Sequence, residues 1–498
     1  MSEMPFIPKL PGQKNVIARA YNSHYELINY NMGDCKKIEY DLSIFEDKPY
    51  PKKTEYYYYD KNAKILYVPR GYDASRIAEQ TGRPITFVPF EAPKNKYHFT
   101  VGNPPKDEYQ QEMIRFLAAL GEYQNLVSTS QQVLSIPTRS GKTYCTIAAT
   151  SILECKAMII VNTDTLRQQW KDEVITHTQL AESNVMMLSS SKIFVDLASA
   201  KQREIRDKYI FIVTHRTIHN VIEDYGLDAV QNTLKHLDIG IKIVDEAHKE
   251  FRNTLMTDYA TNVWKTYYLT ATFARADNKE NRVFQNSFNQ VVKINKKNPN
   301  REKTVKLFSI LFNSHPTRYE DQDICYSGKG FSRHKYIEYE MNKPNLDNMV
   351  KMVLKICLEE KQLEGKILIL SSKIDSCNHF RDLVKSIYPA YTVCAHHSQN
   401  SVPEFREYGV VCTTPQMLGT GTTIPKLRVV INTEPTANTV NIVQTFGRLD
   451  IYAPNMDTYY FIISDKGFSK VEKMANSAKK LLTKYAKEVY VWDATIIK

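Results

Sequence analysis

One octapeptide constrains this chain more than any other: Ile136-Pro137-Thr138-Arg139-Ser140-Gly141-Lys142-Thr143. Val133-Leu134 before it reads as the end of a buried strand, and Tyr144 to Thr150 after it reads as the opening of a helix. Strand, tight loop and Gly-Lys-Thr at a helix N-terminus predict a triphosphate cradle. Backbone N–H groups and the positive end of the helix dipole face the phosphate oxygens there. Thr138, Arg139, Ser140 and Gly141 line the loop, Lys142 is expected at the β/γ-phosphates, and the Thr143 hydroxyl at Mg²⁺. The loop departs from G-x-x-x-x-G-K-[ST]: Ile136 stands at the first glycine, and Arg139 replaces a small residue.

A second stretch supports the first. Ile241, Ile243 and Val244 read as a buried strand that ends in Asp245-Glu246-Ala247-His248. Asp245 can hold Mg²⁺ through water, and Glu246 can orient and deprotonate an attacking water. That division suits phosphoryl transfer, which asks for positioning and charge stabilisation. Here the sequence resembles the superfamily 2 helicases, with Asp245-Glu246-Ala247-His248 at the position of their DEAH-type motif II. The resemblance implies ATP and Mg²⁺ as cofactors and a catalytic set of Lys142, Asp245, Glu246 and His248.

Further motifs follow in the family's order over about residues 105 to 465. Gln110, in a predicted helix upstream of the loop, is the matching position for the adenine-reading glutamine; its amide can both donate and accept. Thr163 and Arg167 follow the apolar run Ala157–Val161, and Thr214 and Arg216 follow Ile210–Val213. These four, with Thr413, are the expected nucleic-acid-binding residues, touching phosphates without reading sequence. Trp170 reads as core. Thr270-Ala271-Thr272 resembles motif III and is expected to link Glu246 to the nucleic-acid groove, with Arg275 and Asp277 beyond it and Phe273 where proline is usual. In the second half, Gly421 within Gly419–Pro425 resembles motif V and permits close backbone approach to nucleotide. Thr423 stands where Asp or Asn is usual. Gln444-Thr445-Phe446-Gly447-Arg448 resembles motif VI, which implies catalytic roles for Gln444 and for Arg448 as an arginine finger. The family's second arginine falls at Ile451.

The first 100 residues carry none of these motifs. Thr54–Asp60 and Lys64–Val68 predict a hairpin, and further strands are expected around Tyr25–Tyr30 and Ile38–Ile44. Tyrosines beside Lys52, Lys53 and Arg70 suit nucleic acid through stacking and phosphate contact; alternate tyrosines equally suit a packed sheet face. Pro93 to Pro105 reads as a linker, Ser327 to Lys335 as a solvated connection or a DNA-contacting loop, and the segment from Ser464 as a C-terminal helix.

Composition sets the remaining bounds. The 498 residues suffice for three domains, and the formal charge of +11 (66 basic, 55 acidic) is compatible with a polyanionic partner. The eight cysteines form no C-x-x-C pair, so neither zinc nor a disulfide framework is indicated, and a reducing cytoplasm is expected. The N-terminus does not read as a signal peptide, and no apolar run reaches bilayer length.

The expected fold is α/β: two tandem RecA-like domains, at 101–300 and 301–498, with a small, mostly β N-terminal domain at 1–100. The expected activity is ATP-dependent remodelling of branched DNA by a monomer, and the β module resembles that of phage branch-migration helicases and XPB-like duplex translocases. Two alternatives stay open: an RNA helicase or transcript-release ATPase, and a nucleic-acid-binding scaffold whose ATPase has decayed.

Overall fold

The structure is a computed structural model. It describes residues 16–46, 52–88, 90–137, 140–271, 273, 278–296, 303–320, 325–327, 330–418, 424–434, 439–449 and 456–494. The chain divides into two compact units, Met1–Asn298 and Pro299–Lys498.

The first unit is built on a seven-stranded sheet. Its spatial order is Val185–Leu188, Ile210–Thr214, Lys156–Val161, Ile239–Val244, Lys265–Thr270, Gln131–Ser135, Val292–Ile294, and all pairings are parallel. Both faces are covered, so the strands read as continuous buried runs. Successive side chains serve opposite faces. Ala157, Ile159 and Val161 join one core cluster with helices Glu108–Ala118 and Lys142–Leu153, while Met158 and Ile160 join another with helices His215–Tyr225 and Phe251–Tyr259.

That second cluster continues into the N-terminal residues. Their five-stranded sheet runs Tyr58–Asp60, Ile65–Pro69, His24–Ile28, Ile17–Ala20, Thr86–Phe87, antiparallel except for the last pair. Tyr25, Tyr72 and Leu66 pack in one cluster with Phe251, Tyr259 and Phe288. Polar bonds complete the seam. Asn22 Nδ2 donates to the carbonyls of Phe90 (3.0 Å), Val263 (3.3 Å) and Trp264 (3.3 Å), and Ser130 Oγ donates to Asn22 O (2.8 Å).

Several local expectations are corrected. The predicted strand over Ile38–Ile44 is helix Lys36–Asp41 followed by strand Ser43–Glu46, because Asp41 turns inward to accept from Tyr72 Oη and Arg76. The hairpin joins Tyr58–Asp60 to Ile65–Pro69, whereas Lys52–Glu55 pairs with Ser43–Glu46. Between the two ribbons Tyr56 and Tyr57 are buried, and Tyr56 stacks on Phe251. The stretch read as a linker is docked: Tyr97 N donates to Glu154 O, and Gly102 N to His177 O.

The second unit carries another seven-stranded parallel sheet, ordered Val393–His396, Val410–Thr413, Lys366–Leu370, Leu427–Asn432, Thr458–Asp465, Val305–Phe312, Glu488–Asp493. Val305–Phe312, which motif reading passes over, lies between two strands formed much later in the chain. The expected C-terminal helix is Ser469–Leu482, packed through Ala475, Ala478 and Leu482, and the chain then returns as edge strand Glu488–Asp493.

Candidate active site

The sequence-predicted residues of the first unit gather at the C-terminal ends of its parallel strands, where α/β sheets place their ligand crevice. After strand Gln131–Ser135 the chain turns, and helix Lys142–Leu153 starts at Gly141. Gly141 adopts φ +84°, a conformation that favours glycine, and a Cβ there would collide with Gln110 Nε2. The loop and the adenine-reading candidate are therefore in direct contact. Gln110 itself is buried, accepting from Lys106 N through Oε1 (2.9 Å). Lys142 Nζ donates to the carbonyls of Ile136 (3.1 Å) and Pro137 (3.2 Å), and Thr143 sits in the first helical turn. Thr138 and Arg139 lie outside the described residues.

Asp245 and Glu246 follow strand Ile239–Val244 two places across the sheet from the loop strand. Asp245 N donates to Ile160 O, which holds the strand end in place, and Trp170 Nε1 donates to Asp245 Oδ2 at 2.9 Å. Trp170 is thus more than core, and the bond spans 75 residues of sequence, so local pattern could not announce it. Burial, then the Glu246 charge, push the Asp245 pKa up; the Trp170 N–H and the Lys142 charge oppose them. Glu246 has φ +48° and is buried. Its Oε2 lies 3.2 Å from His248 Nδ1, and the same nitrogen lies 2.9 Å from Thr270 Oγ1. Glu246 Oε2 and Thr270 Oγ1 thus both approach one His248 nitrogen at the end of strand Lys265–Thr270, and Thr270 is its hydrogen-bond partner. Thr272, Arg275 and Asp277 lie outside the described residues.

The expected nucleic-acid contacts fall on the strand ends to the other side of Asp245. Thr163 is exposed and caps helix Asp164–His177; Arg216 is exposed in the first turn of helix His215–Tyr225. Thr214 caps that helix from a buried position, accepting from Thr217 N. Arg167 is bound internally, donating to Leu188 O (2.7 Å) and pairing with Asp164 (3.0 Å).

In the second unit the expectations meet a different environment. Thr413 is fully buried and its hydroxyl donates to His396 O (2.6 Å), so it presents no surface for a phosphate. Arg448, just after helix Thr439–Phe446, is buried, with Nη2 3.4 Å from Leu418 O. Gly421, Thr423, Ile451 and the Gln444 side chain lie outside the described residues. Motif reading missed Glu434: it accepts from Ser371 Oγ (2.7 Å) and Ser372 N (2.9 Å), and Arg333 donates to its carbonyl (2.6 Å). Arg333 falls in the stretch read as a solvated or DNA-contacting loop, and it is instead tied into its own unit.

Comparison with known proteins adds to this geometry. Residues 105–275 match the family described as "Type III restriction enzyme, res subunit", and residues 348–450 match "Helicase conserved C-terminal domain". Together they span more than half of the chain. It is a superfamily 2 helicase. No curated protein matches the helicase chain in sequence. Among solved structures, S. cerevisiae Dbp5 bound to RNA and ADP BeF3 is similar over 78% of this helicase and 89% of that chain, with 14% identity and a TM-score of 0.51. That likeness is one of fold and fits two tandem RecA-like domains. T4 UvsW aligns over 97% of this helicase and 99% of that chain, with 13% identity and a TM-score of 0.37. The helicase family uses ATP, typically with Mg²⁺. The residues present fit both: a glycine cradle a Cβ would fill, a lysine and a hydroxyl at a helix N-terminus, and a carboxylate fixed on a strand end.

Proposed function

We propose that this helicase is an ATP-driven DNA translocase that remodels branched DNA. The observation that carries the catalytic part is the Glu246–His248–Thr270 chain beside the Gly141–Lys142 loop. Lys142 binds nucleotide phosphates, Thr143 and Asp245 hold Mg²⁺, and Gln110 reads the base. Mg²⁺, when bound, neutralises charge on the phosphates. Glu246 orients water and takes its proton, and His248 keeps that carboxylate placed. Arg448 serves as the arginine finger. Thr163 and Arg216 meet backbone phosphates. The restriction-enzyme description attached to residues 105–275 favours DNA.

The test is ATP hydrolysis with blunt duplex, forked DNA, single-stranded DNA and RNA, each run with wild type, Lys142→Ala and Glu246→Gln. Forked DNA is expected to stimulate most, and both variants to lose turnover. Strongest stimulation by RNA would replace DNA with RNA in the proposal. Absence of turnover with every partner would favour the decayed scaffold.

A further inference from the structure

The aromatic residues that sequence pattern offers to nucleic acid are mostly packed. Tyr56 and Tyr57 are buried, and Arg70 lies over the rings of Tyr25 (4.9 Å) and Phe87 (5.7 Å). A different pair faces water. Tyr40, on helix Lys36–Asp41, is 55% exposed, and Phe45, on strand Ser43–Glu46, is 44% exposed. Their rings are stacked, with centroids 6.3 Å apart and planes 23° from parallel.

Cations surround this pair. Arg282 lies 5.0 Å and Lys37 5.6 Å from the Tyr40 ring centre, and Lys53 lies 6.0 Å from that of Phe45. Lys279 Nζ donates to Phe45 O (2.8 Å), and Arg282 Nη2 to Ser43 O (2.8 Å). Lys37 and Lys53 have acidic partners, Asp41 (3.2 Å) and Glu55 (2.7 Å). Lys279 and Arg282 donate to neutral carbonyls in the bonds just given, and these leave their charge in place. Both sit on helix Asn278–Ser287, which follows the motif III segment, so the patch joins the N-terminal segment Lys36–Glu46 to the helix that comes after strand Lys265–Thr270.

Exposed rings cost free energy in water, and a cationic rim repels another cationic surface while attracting a polyanion. Unpaired bases supply the matching chemistry: flat π faces to stack on the rings and phosphates for Lys279 and Arg282. We infer that Tyr40 and Phe45 form a stacking platform for an unpaired nucleic-acid strand, separate from the phosphate contacts proposed for Thr163 and Arg216 at the strand ends. This rests on the nucleic-acid reading above. It gives the N-terminal residues a means of telling a branched duplex, which has unpaired bases, from a blunt one.

The test uses the full chain with Tyr40→Ala and Phe45→Ala combined, and a second variant with Tyr40→Trp and Phe45→Trp. Both are checked for an unchanged melting curve. Fluorescence anisotropy then measures binding to single-stranded DNA, the same sequence as RNA, forked DNA and blunt duplex. The alanine variant should bind single-stranded and forked DNA about 10-fold more weakly, with blunt duplex changed less than about two-fold, and the tryptophan variant should retain affinity. Equal weakening on RNA assigns the platform to either strand type; weakening confined to DNA assigns it to DNA. Alanine affinities within about two-fold of wild type on every probe would overturn the inference, as would an equal loss on blunt duplex. Failure of wild type to bind any probe would instead remove the nucleic-acid reading of the whole chain.

Discussion

Thr270 Oγ1 and His248 Nδ1 lie 2.9 Å apart, and that imidazole nitrogen also faces Glu246 Oε2 at 3.2 Å. Thr270 ends the strand beside the one that leads into Glu246, so a hydroxyl on one strand holds the imidazole that lies against the carboxylate following its neighbour. A shift at the end of strand Lys265–Thr270 would reach His248, and with it the surroundings of Glu246, through this bond.

Replacing Thr270 with valine keeps the shape and removes the hydroxyl. The ratio of DNA-stimulated to unstimulated ATP turnover should fall about tenfold, in the range of ordinary coupling energies. A ratio equal to that of wild type would show that the chain does not couple the two.

Trp170→Phe keeps an aromatic ring and deletes the N–H held by Asp245. Residues behind a metal ligand typically contribute 10–100-fold, so with Asp245 in its proposed role turnover should drop by roughly that amount, with a raised Mg²⁺ requirement. Magnesium titration at fixed ATP measures this, alongside Mg²⁺-dependent nucleotide binding. An unchanged requirement would leave Trp170 a packing residue only.

Asn22→Ala removes the amide that three main-chain carbonyls share at the seam of the N-terminal sheet. Each buried acceptor left without its donor costs about 1–3 kcal/mol. The first unit should lose several kcal/mol in urea unfolding, with the transition of the second unit unmoved. The same seam bears on deletion: a chain beginning near Gly102 would expose Phe251, Tyr259 and Phe288, and it should aggregate before any junction preference can be assayed.

Glu340, on helix Arg333–Met341, is buried beside Asp465. Burial first, and the Asp465 charge second, push its pKa up to about 9 from an ordinary 4.5. The folded chain therefore holds a proton that the unfolded chain releases across this window. Stability contributed by that proton is fully present below about 4.5 and is lost as pH rises toward about 9. Glu340→Gln removes the titration. Its unfolding free energy should exceed wild type at pH 8 and converge with it near pH 5, the difference growing by up to about 1.4 kcal/mol per pH unit. A pH-independent difference would contradict the assignment.

The strands were legible because parallel strands covered on both faces are mostly apolar and wholly buried, as in Lys156–Val161 and Ile239–Val244, where only Lys156 and Lys242 interrupt the pattern, with the candidate motifs placed after their ends. Legibility failed where tertiary context decides. Ile38–Ile44 alternates like a strand, yet Asp41 is drawn inward by Tyr72 and Arg76, and its segment coils. Four consecutive tyrosines do not reveal that Tyr56 and Tyr57 both turn inward where one ribbon gives way to another. Bonds such as Trp170 to Asp245 and Ser371 to Glu434 join residues far apart in sequence, and no periodicity encodes them.

Strand Val305–Phe312 has a consequence in time. On the ribosome it emerges well before either of its neighbours, Thr458–Asp465 and Glu488–Asp493, has been made. At about 5–20 residues per second, its two edges stay without hydrogen-bonding partners for on the order of ten seconds or more. Phe308, Ile310 and Phe312, all buried in the finished sheet, are exposed to other nascent chains through that interval. The first unit can close its own sheet meanwhile, since all seven of its strands precede Val305–Phe312. Misassembly during synthesis is therefore concentrated in the second unit, and slowed translation over its last two strands would lengthen that exposure.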